Sequence, residues 1–240
     1  MVVNRSHSFA ITVFCVILGI VIRIAYCIQY PVQPRDAYSY GYYISQWEII
    51  GEPSPEITFI PFSLWLLKIP HHLFQCDPMK GGVIINLLLG LFMIIITINT
   101  LKPYFKDNLT LLFAGLIVAS HPTLVRFSCS CLRENTYLFF SFLAFSSLAR
   151  YCNEPHSIFL FIASISGALS FLCRLEGLET LPVIHISLFY LCIFKRIRVQ
   201  KALLHGFIAS VIFFLTAIFI CYCWNIIFIS SDQIAMRFQL

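Results

Sequence analysis

The chain has 240 residues, 59% of them hydrophobic and 11% charged, with a net charge of +5 and a mean hydropathy of +0.85. Soluble domains carry roughly 25% charged residues, so there is too little charge here to coat a water-facing globule and the solvent is mostly lipid. The small positive balance concerns membrane orientation, and no basic run interleaved with aromatics points to RNA or DNA.

The N-terminus has one basic residue, Arg5, before the first apolar run, Ser8–Gln29. No small-residue cleavage site follows, and Arg23, Tyr26, Gln29 and Tyr30 fall at its end, which predicts a retained signal-anchor helix. Arg23 either points toward a polar site beyond the helix end or snorkels to the headgroups.

The stretch Pro34–Trp47, PRDAYSYGYYISQW, carries the first acid of the chain, Asp36. Read as a helix, it places Asp36, Tyr40, Tyr43 and Trp47 on one face. Two readings stand: an interfacial aromatic belt, or a catalytic carboxylate beside a sugar-stacking surface.

Further apolar runs are Ile57–Phe74, Val83–Leu101, Leu109–Val125, Tyr137–Ala149, Ser157–Leu172, Leu181–Phe194 and Leu203–Ile229. In the first of these, Pro61 and Pro70 bracket an intact stretch of only about two turns. Orientation decides its role. With the N-terminus inside and this run lying on the outer surface or re-entering, the inner loops hold Arg5, Lys102, Lys106, Arg150 and the cluster Lys195, Arg196, Arg198 and Lys201. That is where basic clusters belong. The expectation is one transmembrane domain, 1–240, all-α and polytopic. It has a first span at 8–30, an outer loop at 31–81, and six further spans over 82–229, about seven in all.

This topology gathers Arg35, Asp36, Glu48, Glu52, Glu56, Arg126, Arg133, Glu134, Arg174, Glu176 and Glu179 at the outer side. Acids influence insertion little, so their sorting is independent support for a polar site there. His121-Pro122 ends one helix early, and Arg126 and Arg133 then bracket a small-residue stretch ending in Glu134. The pair either snorkels or holds a phosphate, which guanidinium does well. In FLCRLEGLETLP, Arg174 and Glu176 interrupt an apolar region and Gly177 permits an abrupt turn; a simple ion-paired loop is the other reading.

Most of the ten cysteines sit inside apolar runs, as Cys15, Cys192, Cys221 and Cys223 do. Cysteine behaves there as a small hydrophobe. Cys129-Ser130-Cys131 is too closely spaced for a zinc knuckle, and no CxxC occurs, so all ten read as free thiols. The seven histidines form no H-E-x-x-H pattern, no GxSxG is present, and no internal repeat supports a repeat-built transporter.

Taken in order, Arg23-Ile-Ala-Tyr26, Asp36-Ala37-Tyr38, Trp47…Gly51, TFIPFSLWLL, SHPTLVRFSCSCLRENTYLFFSFLAF and ALSFLCRLEGLETLPV resemble the integral-membrane GT-C glycosyltransferases. The likeness is greatest to glycosyltransferase family 39, the protein mannosyltransferase and aminoarabinose transferase group, and runs from about Val21 to Val183. The resemblance implies an inverting transferase that moves a sugar from a polyprenyl- or dolichyl-phosphate carrier to an acceptor protein or glycolipid on the non-cytosolic face of the endoplasmic reticulum or bacterial inner membrane. Asp36 would be the general base. Arg126, Arg133, Glu134 and Arg174, with Glu176 and Tyr40, would bind substrate directly or through a divalent cation. Two departures qualify it. The acid and paired prolines usual before the second hydrophobic piece reduce here to Pro61, with Glu56 out of register, and family members are considerably longer. The alternatives are therefore a truncated, non-catalytic homologue, a lipid-carrier-binding subunit working with a partner, or a small transporter.

Overall fold

A computed structural model describes residues 5–50, 61–105, 107–194 and 196–228, and the described residues are almost entirely helical. The helices are α1 (Arg5–Gln29), α2 (Arg35–Ile50), α3 (Pro61–Phe74), α4 (Pro78–Leu101), α5 (Asn108–Ser120), α6 (Pro122–Ser128), α7 (Arg133–Asn153), α8 (Ser157–Cys173), α9 (Thr180–Ile193) and α10 (Val199–Phe228). A short 3-10 turn, Leu175–Glu179, leads into α9. The expected all-α polytopic bundle is what forms.

Among the described residues, four segments are long and apolar enough to cross a bilayer: His7–Gln29, Pro78–Leu101, Leu175–Ile193 and Val199–Tyr222. The pair α5 and α6, bent by 52°, is long and apolar enough only when taken together, as one broken span or a re-entrant loop. The α8 helix is apolar but has 17 residues, and α7 carries Arg133, Glu134 and Arg150 at its ends. These two pack against each other through small side chains, Ser141 of α7 meeting Ser170 of α8 at 2.7 Å. Close approach of small residues holds membrane helices together where lipid supplies no hydrophobic drive.

The first long connection contains α2 and α3. At 14 residues, α3 is roughly 21 Å long, short of a bilayer core. It does not stop at Pro70, as the sequence reading expected, but continues for a turn to Phe74 with Pro70 inside it. The cost of the proline is confined to one missing backbone bond near the helix end. Glu52 and Glu56 lie outside the described residues, as does Lys195, and nothing is described of the Glu48 side chain.

The 52° bend falls at His121-Pro122. Pro122 opens a new helix, because its fixed φ and missing N–H suit a first helical position, and the last carbonyls of α5 are left without helical partners. Arg23 supplies one. Its Nη1 donates to the carbonyl oxygens of Ala119 and Gly19, both at 3.1 Å. Arg23 is only 1% exposed, so it neither snorkels nor reaches the polar end of the bundle. It is a strut across the broken span, with Nε and Nη2 lacking a partner among the described residues.

Two ends of the bundle are chemically distinct. At one, Arg150 donates to the Asn99 carbonyl at 3.1 Å and Arg196 to the Cys152 carbonyl at 3.0 Å. At the other lie the start of α7, the end of α8 and the 3-10 turn, joined by ion pairs.

Candidate functional site at the charged end of the bundle

The connection from α6 to α7 is set from below by Asn86, a buried residue of α4. Its Nδ2 donates to the carbonyl oxygens of Ser130 at 2.7 Å and Leu132 at 2.8 Å. In return, Asn135 Nδ2 donates to the Asn86 carbonyl at 2.8 Å. Gln33 grips the same connection from the segment after α1, donating to the Cys129 carbonyl at 3.1 Å and accepting from the Cys131 amide at 3.2 Å. A loop within an apolar bundle must satisfy its backbone polar groups internally, and these amide side chains do so. The result fixes where α7 begins, and its first two residues are Arg133 and Glu134.

Glu134 meets Arg174, the residue that closes α8, with Nη1 at 2.7 Å from Oε1. Arg174 also binds Glu176 through Nη2–Oε1 at 2.7 Å and Nε–Oε2 at 3.2 Å. This is a fork-to-fork pair with strong geometric preference. Its fork is thus shared between two carboxylates from different connections. The Arg133 guanidinium lies 6.0 Å from the Tyr40 ring, and Arg174 lies 5.9 Å from the Tyr137 ring. Tyr137 donates to Glu179 Oε1 at 2.8 Å. Arg133 Nε and Glu134 Oε2 are buried without a partner among the described residues. A donor and an acceptor so placed are the groups a ligand could satisfy.

Asp36 sits in the first turn of α2 and is exposed. Its charge reaches Tyr40 together with those of Arg133, Glu134 and Arg174. Burial is the main cause that pushes the Tyr40 phenol up to about 12. Tyr40 is therefore a hydrogen-bond donor at neutral pH and not a base. Among the described residues Asp36 has no ion pair.

The structure brings together Tyr40, Arg133, Glu134, Arg174 and Glu176, with Asp36 one helical turn from Tyr40. It does not bring Arg126 into the group. Arg126 lies in the last turn of the seven-residue α6, is exposed, and makes no side-chain hydrogen bond or ion pair among the described residues. Arg126 thus shows none of the contacts that join Arg133 to Tyr40 and Arg174 to Glu134. The aromatic face of α2 is also not an open stacking surface. Trp47 is 2% exposed and packs with Ala37, Ile44, Leu64 and Leu67, with Lys68 Nζ 4.4 Å above its ring. Sequence reasoning missed Tyr137 and Glu179 as site members. The signal for Tyr137 was its position one turn after Arg133 and Glu134. Glu179 needed the 3-10 turn to come within reach. No group of three or more metal-ligating side chains occurs among the described residues.

Arg174 holds the Glu176 carboxyl down to about 2 from its ordinary 4.5. A lowered acid contributes stability that is present above about pH 4.5 and lost as pH falls toward 2. Glu176 is 54% exposed, so screening keeps the effect small. Glu176→Gln is expected to lower the melting temperature by no more than about 2 °C at pH 7, with the difference shrinking by pH 3. A difference that stays constant across that range in thermal melts would contradict this assignment.

Comparison with curated proteins and with solved structures returned no match. The profile of the dolichyl-phosphate-mannose-protein mannosyltransferase family matches residues 54–222, a stretch that includes α7, α8 and the 3-10 turn but begins after Asp36 and Tyr40. The match covers most of the chain, and with the multi-pass bundle and its charged end it identifies the chain as a member of that family, a glycosyltransferase family of GT-C type.

Proposed function

We propose that this chain binds a dolichyl- or polyprenyl-phosphate-linked sugar at the charged end of the bundle and transfers the sugar to an acceptor, with inversion. The observation that carries the proposal is the Arg174 fork shared between Glu134 and Glu176, beside a second guanidinium whose Nε is buried and unpartnered. Two guanidinium groups beside a lipid-facing bundle suit a phosphate that must stay near the bilayer while its sugar bond breaks. They would stabilise negative charge gathering on the departing phosphate. Asp36, on the rim, would take the proton of the acceptor hydroxyl. Tyr40, kept protonated, would donate to the sugar or the phosphate.

The basic residues Arg196, Arg198 and Lys201 support placing the opposite end, and the N-terminus, in the cytosol. The charged end then faces the endoplasmic reticulum lumen or the bacterial periplasm, where a protein or glycolipid acceptor would approach.

The test is transfer from a radiolabelled lipid-phosphate mannose in proteoliposomes. Asp36→Asn is expected to lower the rate about 100-fold or more, the range of general-base removal, while leaving donor binding near wild type. Equal rates in the two proteins would remove Asp36 as the base. Donor binding by wild type without any transfer would favour the carrier-binding subunit.

A further inference from the structure

The nine cysteines whose side chains are described are unpaired, but two of them are neighbours. Cys129, in the connection after α6, is 2% exposed, and its thiol donates to the Arg23 carbonyl at 3.4 Å. In a helix that carbonyl is also the acceptor for the amide four residues on, which here is Cys27. The Cys129 sulfur therefore rests on the turn of α1 that ends at Cys27, which makes the two cysteines neighbours. Gln33 clamps the same junction by its bonds to Cys129 and Cys131. Cys131 does not compete, because its side chain turns onto Gly82 of α4, with Cβ 3.1 Å from where a Gly82 methyl would lie. Cys27 is half-buried, the more accessible of the pair. Burial raises the Cys129 thiol, which makes Cys27 the point of entry for a reagent.

We propose that Cys27 and Cys129 are a redox pair that closes to a disulfide by exchange with a disulfide oxidant, either protein-borne or a small-molecule disulfide. The Cys27 thiolate attacks the oxidant, forming a mixed disulfide and releasing one oxidant thiolate. The Cys129 thiolate then attacks the Cys27 sulfur, forms the internal bond and releases the second. Two protein thiols lose two protons and two electrons, and the oxidant takes them up as two thiols. The bond ties the end of α1 to the hinge between α6 and α7, four residues before Arg133. A non-cytosolic position for this end would supply the oxidising conditions such a bond needs. The pairing itself does not depend on the transferase reading.

The experiment uses the full chain, purified in detergent, incubated with oxidised glutathione, alkylated with N-ethylmaleimide and digested without reduction. Mass spectrometry is expected to find a Cys27–Cys129 linked peptide pair that dithiothreitol abolishes, together with a rise of several degrees in melting temperature. In Cys129→Ser, Cys27 is expected to retain glutathione as a stable mixed disulfide. Recovery of both cysteines as alkylated thiols from oxidised wild type, or of Cys27 joined to another cysteine, would overturn the proposal. The wild-type map decides the matter even where the serine variant does not fold.

Discussion

Gly177→Ala is expected to lower the melting temperature by roughly 6–12 °C and to abolish donor binding, a destabilisation of about 3 kcal/mol. The reason is space. A methyl group at Gly177 would lie 2.6 Å from the Phe171 Cα and overlap the Phe171 amide nitrogen and the Ser170 carbonyl carbon. These are backbone atoms of α8 and cannot swing aside as a side-chain tip can. Gly177 also donates its amide to the Arg174 carbonyl at 2.9 Å, so the turn that brings Glu176 back to Arg174 closes directly over the end of α8. Relieving the overlap would push the 3-10 turn outward, separate Glu176 from the Arg174 guanidinium and disturb the Arg174 side chain that Glu134 also binds. Thermal melting in detergent, followed by a donor-binding assay, checks this. A variant with wild-type melting and binding would show that the corner has slack.

Asn86→Ala is expected to destabilise the protein by about 2–4 kcal/mol. It leaves the Ser130 and Leu132 carbonyls without their donor inside the bundle, and each unsatisfied buried group costs about 1–3 kcal/mol. Asn86→Asp separates hydrogen bonding from packing, because a carboxylate matches asparagine in shape but cannot donate to those carbonyls. The aspartate variant is expected to be at least as damaging as alanine. Because the freed connection carries Arg133 and Glu134, donor binding should fall even below the melting transition. An aspartate variant that melts and binds like wild type would show that the amide is not what holds the connection.

The all-helical class was legible in composition. The Arg174–Glu176 pair was legible too, two residues apart in a region otherwise apolar. Other features needed tertiary structure. Arg23 looks from sequence like a snorkelling end residue, because nothing local shows that a proline break 99 residues later leaves a carbonyl for it to satisfy. Asn86 is one of a few polar residues in a largely apolar helix, and its partners are carbonyl groups, which no side-chain motif reveals. Trp47 reads in sequence as part of an interfacial belt or of a stacking surface; packing of α3 over α2 makes it core instead. Arg126 and Arg133 look alike in sequence, seven residues apart, but Arg133 lies beside the Tyr40 ring whereas Arg126 is exposed, with no side-chain hydrogen bond or ion pair among the described residues. Gly177 was expected for its backbone freedom, whereas its requirement here is the absence of a side chain.

In the proposed reaction, Arg133 and Arg174 together receive the carrier phosphate. The most direct measurement is equilibrium binding of dolichyl-phosphate mannose to wild type and to Arg174→Gln, each first shown by thermal melting to be folded at the assay temperature. Loss of a charged hydrogen-bonding partner of the phosphate predicts an affinity about 100-fold weaker in the variant. A folded Arg174→Gln protein that binds the donor as tightly as wild type would show that Arg174 does not receive the phosphate.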